Sequence, residues 1–117
     1  MNIQLYYSKK NFDVQKAQRW FKERRVSFTE VDLKKHKLGG RELDLFARAA
    51  GGFKALVDPE AKGGRADYIK QLSIDSVLRD ELMENPAYIL GPIIRDGNKA
   101  FIGFDPSLIE AWIEKNK

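Results

Sequence analysis

Chemistry concentrates in one short segment, Ser8-Lys9-Lys10-Asn11-Phe12-Asp13-Val14, which joins an alternating apolar run to an amphipathic one. The amides of Phe12, Asp13 and Val14 fall at the predicted start of a helix. There the N–H groups have no intrahelical acceptor and the helix dipole favours negative charge, so with Lys9 and Lys10 beside them they form a candidate anion cradle. A simpler reading needs no ligand: Asn11 and Asp13 are both capping residue types, and a cap occupies those amides itself. Asparagine is neither acid nor base near neutral pH, so position 11 offers no general acid–base catalysis. Gly91-Pro92-Ile93 is the second segment of interest, because a proline entering a strand is a place where a cis peptide can sit. His36 lies among Lys34, Lys35 and Lys37 with no second titratable partner in sequence, and reads as a solvated loop residue rather than a proton shuttle.

Composition removes whole classes of function. The chain has no cysteine, which excludes disulfides, thiol chemistry and cysteine metal sites, and its single histidine excludes a multi-histidine zinc site. At 117 residues with 43% hydrophobic and 32% charged positions, one compact domain is expected, continuous from Asn2 to about Glu114. Apolar runs fall far short of the roughly 20 residues that span a bilayer, and the first residues carry no secretory signal pattern, so a cytoplasmic protein is expected. The formal charge of +4 and pI near 9.3 would assist an anionic partner. They are not a nucleic-acid signature, and the basic residues read as solvated surface.

Periodicity supplies the elements that position these residues. Ile3, Leu5 and Tyr7 alternate with Gln4 and Tyr6, predicting a strand over 2–7. Val14, Ala17, Trp20 and Phe21 form one helical stripe, ending at Arg24 or Arg25, and a second strand follows over 26–32. This is a βαβ unit, expected to be parallel and right-handed. A helix over 41–50 with Leu43, Phe46, Ala47 and Ala50 inward is closed by Gly51-Gly52. Residues 66–72 and 76–84 read as two more helices, the latter capped by Asp75 or Ser76 and stopped by Asn85-Pro86. Ile93-Ile94 and Ala100-Phe101-Ile102 flank an Asp96-Gly97 hairpin signal. Asp105-Pro106 opens a last helix with Leu108, Ile109, Trp112 and Ile113 on its apolar stripe. Trp20 and Trp112 read as core residues rather than stacking platforms.

The order β α β, a helical middle about 39–85, then β β α, with a proline entering the third strand, resembles the thioredoxin-like arrangement: a mixed four-stranded sheet flanked by helices. The residues carry a closer resemblance. Leu5 to Ala17, Trp20-Phe21, Val31-Asp32, Asn85-Pro86, Gly91-Pro92-Ile93-Ile94, Asp96-Gly97 and Gly103-Phe104 together resemble the ArsC/Spx family of arsenate reductase-like, glutaredoxin-related proteins. The resemblance covers nearly the whole chain, 1–117 as one domain. It implies a nucleophilic cysteine where Asn11 stands, and in Spx-type members a second cysteine where this chain has Val14. The arsenate-reducing branch places an arginine before the strand-entry proline, where this chain has Gly91, and another in a turn that here reads Asp58-Pro59-Glu60, with Arg65 a spatial substitute.

The expectation is therefore a redox-inactive binding or regulatory protein without a cofactor. The alternative is an arsenate reductase-like oxidoreductase that uses glutathione or a partner thiol, its peptide part pairing with the Gly91-Pro92 backbone. The ligand or anion site expected on either reading is Lys9, Lys10, Asn11, Phe12, Asp13, Gly91, Pro92 and Ile93. Spx contacts RNA polymerase through a region with a helix-ending glycine like Gly52, so Arg48, Gly52 and Lys54 are the expected partner-binding residues. No membrane and no direct nucleic-acid partner is expected.

Overall fold

The computed structural model describes residues 2–115 and consists of a mixed sheet covered on both faces. Strand β1 (Ile3–Tyr7) leads through helix α1 (Phe12–Glu23) to β2 (Phe28–Asp32), which pairs parallel to it with Leu5 opposite Glu30. On its other edge β1 pairs antiparallel with β3 (Ile93–Asp96), which turns back into β4 (Lys99–Ile102), giving the order β2-β1-β3-β4. Between β2 and β3 lie α2 (Gly40–Ala50), α3 (Gly64–Gln71) and α4 (Asp75–Glu84), and α5 (Pro106–Lys115) follows β4.

Strand alternation sends each side chain of β1 to one of two cores. Ile3, Leu5 and Tyr7 pack with Val14, Ala17, Trp20 and Phe21 of α1 and with Ile109 and Ile113 of α5. Tyr6 enters the other core, with Leu43 and Phe46 of α2, Ile69 of α3, and Leu78 and Leu82 of α4. Both faces of the central strand are thus buried, which is why Tyr6 and Tyr7 are buried although they are adjacent in sequence.

Several expectations shift. Strand β2 starts at Phe28 because Val26 still belongs to the end of α1: its amide donates to Phe21 O at 2.9 Å, Arg25 N donates to Lys22 O at 3.2 Å, and Arg25 itself is left-handed at φ 55°. This is a Schellman closure with arginine in the position glycine usually holds. Helix α4 begins at Asp75 after Ile74, with no side-chain cap, so neither Asp75 nor Ser76 caps it. The hairpin turn is Gly97-Asn98, one residue later than the Asp96-Gly97 signal, with Gly97 at φ 60° in the first turn position and Asp96 opposite Lys99. Leu108 is 57% exposed and lies outside the stripe that Ile109 and Ile113 bury. Asp105 caps α5 as expected, its Oδ1 accepting from Ser107 N at 3.0 Å and Leu108 N at 3.3 Å.

Candidate functional site

The turn between β1 and α1 faces the segment that enters β3. Ser8 is buried and its hydroxyl donates to Ala87 O at 3.0 Å, which anchors the start of the turn to the chain before β3. The Gly91–Pro92 peptide is cis. Asn11 stands between the two segments and uses both ends of its amide: Oδ1 accepts from Val14 N at 2.8 Å, and Nδ2 donates to Gly91 O at 3.3 Å. Asn11 is therefore the helix cap. Asp13 does not share that role and sits exposed in the first turn. Of the amides expected to cradle an anion, Val14 N is taken, leaving Phe12 N and Asp13 N as the groups without an intrahelical acceptor.

The other expected site residues surround this pair unevenly. Lys9 and Lys10 are exposed, Phe12 is 80% exposed, and Pro92 and Ile93 are buried. Gly91 is held against β1: a Cβ there would lie 3.3 Å from Tyr7 Cα, so a side chain at 91 presses on backbone. Arg65 does not turn toward the site, because its Nη2 lies 2.7 Å from Glu81 Oε2 and its guanidinium sits over the Tyr68 ring. Arg48 and Gly52 border one depression, beside Phe53. The Lys54 ammonium instead donates to Lys70 O and to Leu72 O at the end of α3.

A second polar cluster went unseen in the sequence. Glu42, in the first turn of α2, accepts from Gly39 N at 3.1 Å, from Tyr6 OH at 2.7 Å and from Arg95 Nη1 at 3.2 Å, and His36 Nε2 lies 3.4 Å from its Oε1. His36 thus has a titratable neighbour after all, six residues away. Burial pulls the Glu42 carboxyl upward, but the bonds from Gly39, Tyr6 and His36 outweigh it and hold the group below its ordinary pKa. Tyr6 is pushed up to about 12 by burial and by donation to Glu42. Tyr7 is also raised to about 12, by burial and by its bond to Glu30. The register held a signal for part of this cluster, since Gln4 opposes Arg95 and Tyr6 is the same-face diagonal neighbour. The local signal for Glu42 was its place three residues after the Gly39 cap, from which its carboxylate accepts from Gly39 N. Among the described residues there is no group of His, Cys, Asp or Glu side chains placed to hold a metal.

An ArsC family related protein from Bacteroides fragilis superimposes with a TM-score of 0.79 at 16% identity, covering 95% of this chain and 98% of that one. An arsenate reductase from Vibrio cholerae gives 0.75 at 17% identity, covering 95% and 97%. An ArsC-related protein from Brucella melitensis gives 0.64 at 21% identity, covering 97% and 96%. The fold is that of the arsenate reductase-related proteins. No protein-family model matches the sequence, and no curated protein is significantly similar to it. The chain has the ArsC-related fold without any cysteine.

Proposed function

We propose that this protein is a redox-inactive binding protein built on the ArsC-related fold. The observation that carries the reading is the state of Asn11. Arsenate reduction through a thiol needs a sulfur that attacks arsenic and is then regenerated, and an amide can do neither. Here the amide has moreover become part of the scaffold, bonded to Val14 N on one side and to Gly91 O on the other. Its Nδ2 lies against the backbone that a glutathione peptide would have to pair with. Gly91 adds to this, since an arginine there would press on Tyr7 and the anion-binding guanidinium is missing. The function that remains is recognition of a partner by the surface of the fold in the cytoplasm.

The test is a coupled assay of the purified chain with arsenate, glutathione and glutaredoxin, reading NADPH oxidation through glutathione reductase. The expected result is a rate equal to the control without the protein. Thiol-dependent turnover above that control would sink the redox-inactive reading and favour an enzyme that borrows a partner's thiol.

A further inference from the structure

The loop between β2 and α2 is anchored at both ends and carries its charge in the middle. Leu33 and Leu38 are buried, Leu33 N donates to Tyr7 O at 2.8 Å, and Asp32 accepts from Lys34 N through Oδ1 at 2.9 Å. The Asp32 carbonyl also accepts from Lys35 N at 3.0 Å and His36 N at 2.8 Å. Lys34, Lys35, His36 and Lys37 therefore stand exposed on an ordered turn.

Two depressions share Lys34. One, of about 370 Å³, is lined by the 34–37 run together with the apolar Leu33, Met83 and Pro86. The other, of about 200 Å³, is lined by Lys9, Lys34 and Lys62 with Ala61, Ala87 and Tyr88. Among the described residues their carboxylates are only Glu84 and Asp58, and Asp58 Oδ1 already accepts from Glu60 N at 2.9 Å. Among the described residues none of Lys9, Lys34, Lys35, Lys37 and Lys62 is in an ion pair, whereas Arg65, Arg79 and Arg95 each have a carboxylate.

We propose that this pair of depressions is a docking groove for an acidic segment of a partner protein, one with apolar residues between its carboxylates. Unpaired ammonium groups beside apolar side chains are complementary to that pattern, because the lysines meet the carboxylates while the half-buried Met83, Pro86 and Tyr88 meet the apolar residues. A small phosphate would use the charge and leave the apolar lining wet. No arginine fork lines either depression to hold a phosphate bidentately. Single-stranded nucleic acid calls for a series of stacking rings, and among the described residues only Tyr88 and His36 bring rings to the groove, one in each depression. The inference rests on the binding-protein reading and gives that binding a surface and a partner chemistry. The surface is distinct from the one bordered by Arg48 and Gly52.

The test is a backbone amide NMR titration of the whole chain with a capped decapeptide of alternating Glu and Leu, alongside decaglutamate, inorganic triphosphate and a single-stranded oligonucleotide. The expected result is saturable shifts in residues 33–38, 8–9, 62 and 83–88 with the alternating peptide. Its affinity should exceed that of the other probes by at least about fivefold, and should fall as salt screens the exposed charges. Lys34→Glu with Lys35→Glu should lower the affinity at least about fivefold while leaving the amide spectrum of the sheet in place, because the loop's internal bonds are made by backbone groups and Asp32. Absence of shifts in the groove would overturn the proposal, as would tighter binding of triphosphate or oligonucleotide, or an unchanged affinity in the double variant. Failure of the binding-protein reading would appear separately, as turnover in the thiol assay.

Discussion

Replacing Asn11 by alanine isolates what the amide contributes to the fold. The substitution removes the side chain that accepts from Val14 N at 2.8 Å and the longer donation to Gly91 O at 3.3 Å. Loss of an N-cap of this type costs about 1 kcal/mol, and the second, exposed bond adds about 0.5 kcal/mol. A total of about 1.5 kcal/mol corresponds to a fall in melting temperature of about 5 °C for a domain of this size. Asn11→Asp separates the two bonds, since a carboxylate keeps the cap and gains from the helix dipole by about 0.5 kcal/mol but cannot donate to Gly91 O. The aspartate variant should therefore lie close to the native protein, with alanine clearly below both. Urea denaturation followed by circular dichroism measures the series. If the alanine variant falls within about 0.3 kcal/mol of the native protein, or the aspartate variant is the weaker of the two, then Asn11 is not a stabilising cap and the argument from its bonding fails.

Arg25 sits at φ 55°, so Arg25→Gly should relieve the left-handed strain and raise stability by about 0.5 kcal/mol in the same denaturation experiment; a loss would show that the arginine side chain contributes more than its backbone costs. Glu42 has a folded-state pKa below its ordinary value, so its contribution is present above that ordinary value and is lost as pH falls through the folded one. Stability measured from pH 6 to pH 3 should accordingly fall more steeply in the native protein than in Glu42→Gln, and parallel curves would refute the assignment. Tyr6 and Tyr7 carry raised pKa values near 12, so stability they confer is present below about pH 10 and is lost as pH rises towards 12. Ultraviolet titration of the native protein should show their phenolates appearing only near pH 12, and Tyr6→Phe should remove part of that late step. Asn11→Cys puts a thiol at a helix start beside Lys9 and Lys10, which should lower its pKa below the usual value of about 8.5. Iodoacetamide should alkylate it faster at pH 7 than free cysteine, while arsenate turnover stays absent; an arsenate-reducing variant would show that only the nucleophile had been lost.

What the sequence revealed depended on how local the determining interaction was. The stripe Val14, Ala17, Trp20, Phe21 and the alternation in β1 are properties of neighbouring residues, and both predicted the packing that the structure has. Asn11 as a cap and Asp105 before Pro106 were legible for the same reason, since a cap acts within three residues of itself. The boundary of β2 was misplaced because a β-branched, aromatic run extends to Val26, while the closure of α1 across Phe21, Lys22, Arg25 and Val26 claims that residue first. Leu108 misled because hydrophobicity alone widened the α5 stripe, and the sheet has room for Ile109 and Ile113. His36 is the solvated loop residue expected, but its titratable neighbour was missed. Its neighbour Glu42 is local, but Glu42 is fixed by Tyr6 and Arg95, at separations of 36 and 53 residues, and no periodicity encodes a meeting of three elements.

The geometry of the turn explains why position 11 suits an asparagine. Strand β1 ends at Tyr7 and α1 starts at Phe12, so position 11 is a helix N-cap whatever occupies it, and it faces the residue before the cis proline. A thiol in that place is held as thiolate by the helix dipole and the adjacent amides. An asparagine answers one of those amides, Val14 N, with a neutral oxygen and reaches Gly91 O with its nitrogen, joining the two segments. The electrostatic feature that makes a cysteine reactive at this position is thus the feature that makes asparagine stabilising. Reactivity and capping would compete for Val14 N, and in this chain the cap holds it. On the reading proposed above, recognition falls to surfaces beside the turn, among them the lysine run after β2, whose ammonium groups lie beside an apolar lining.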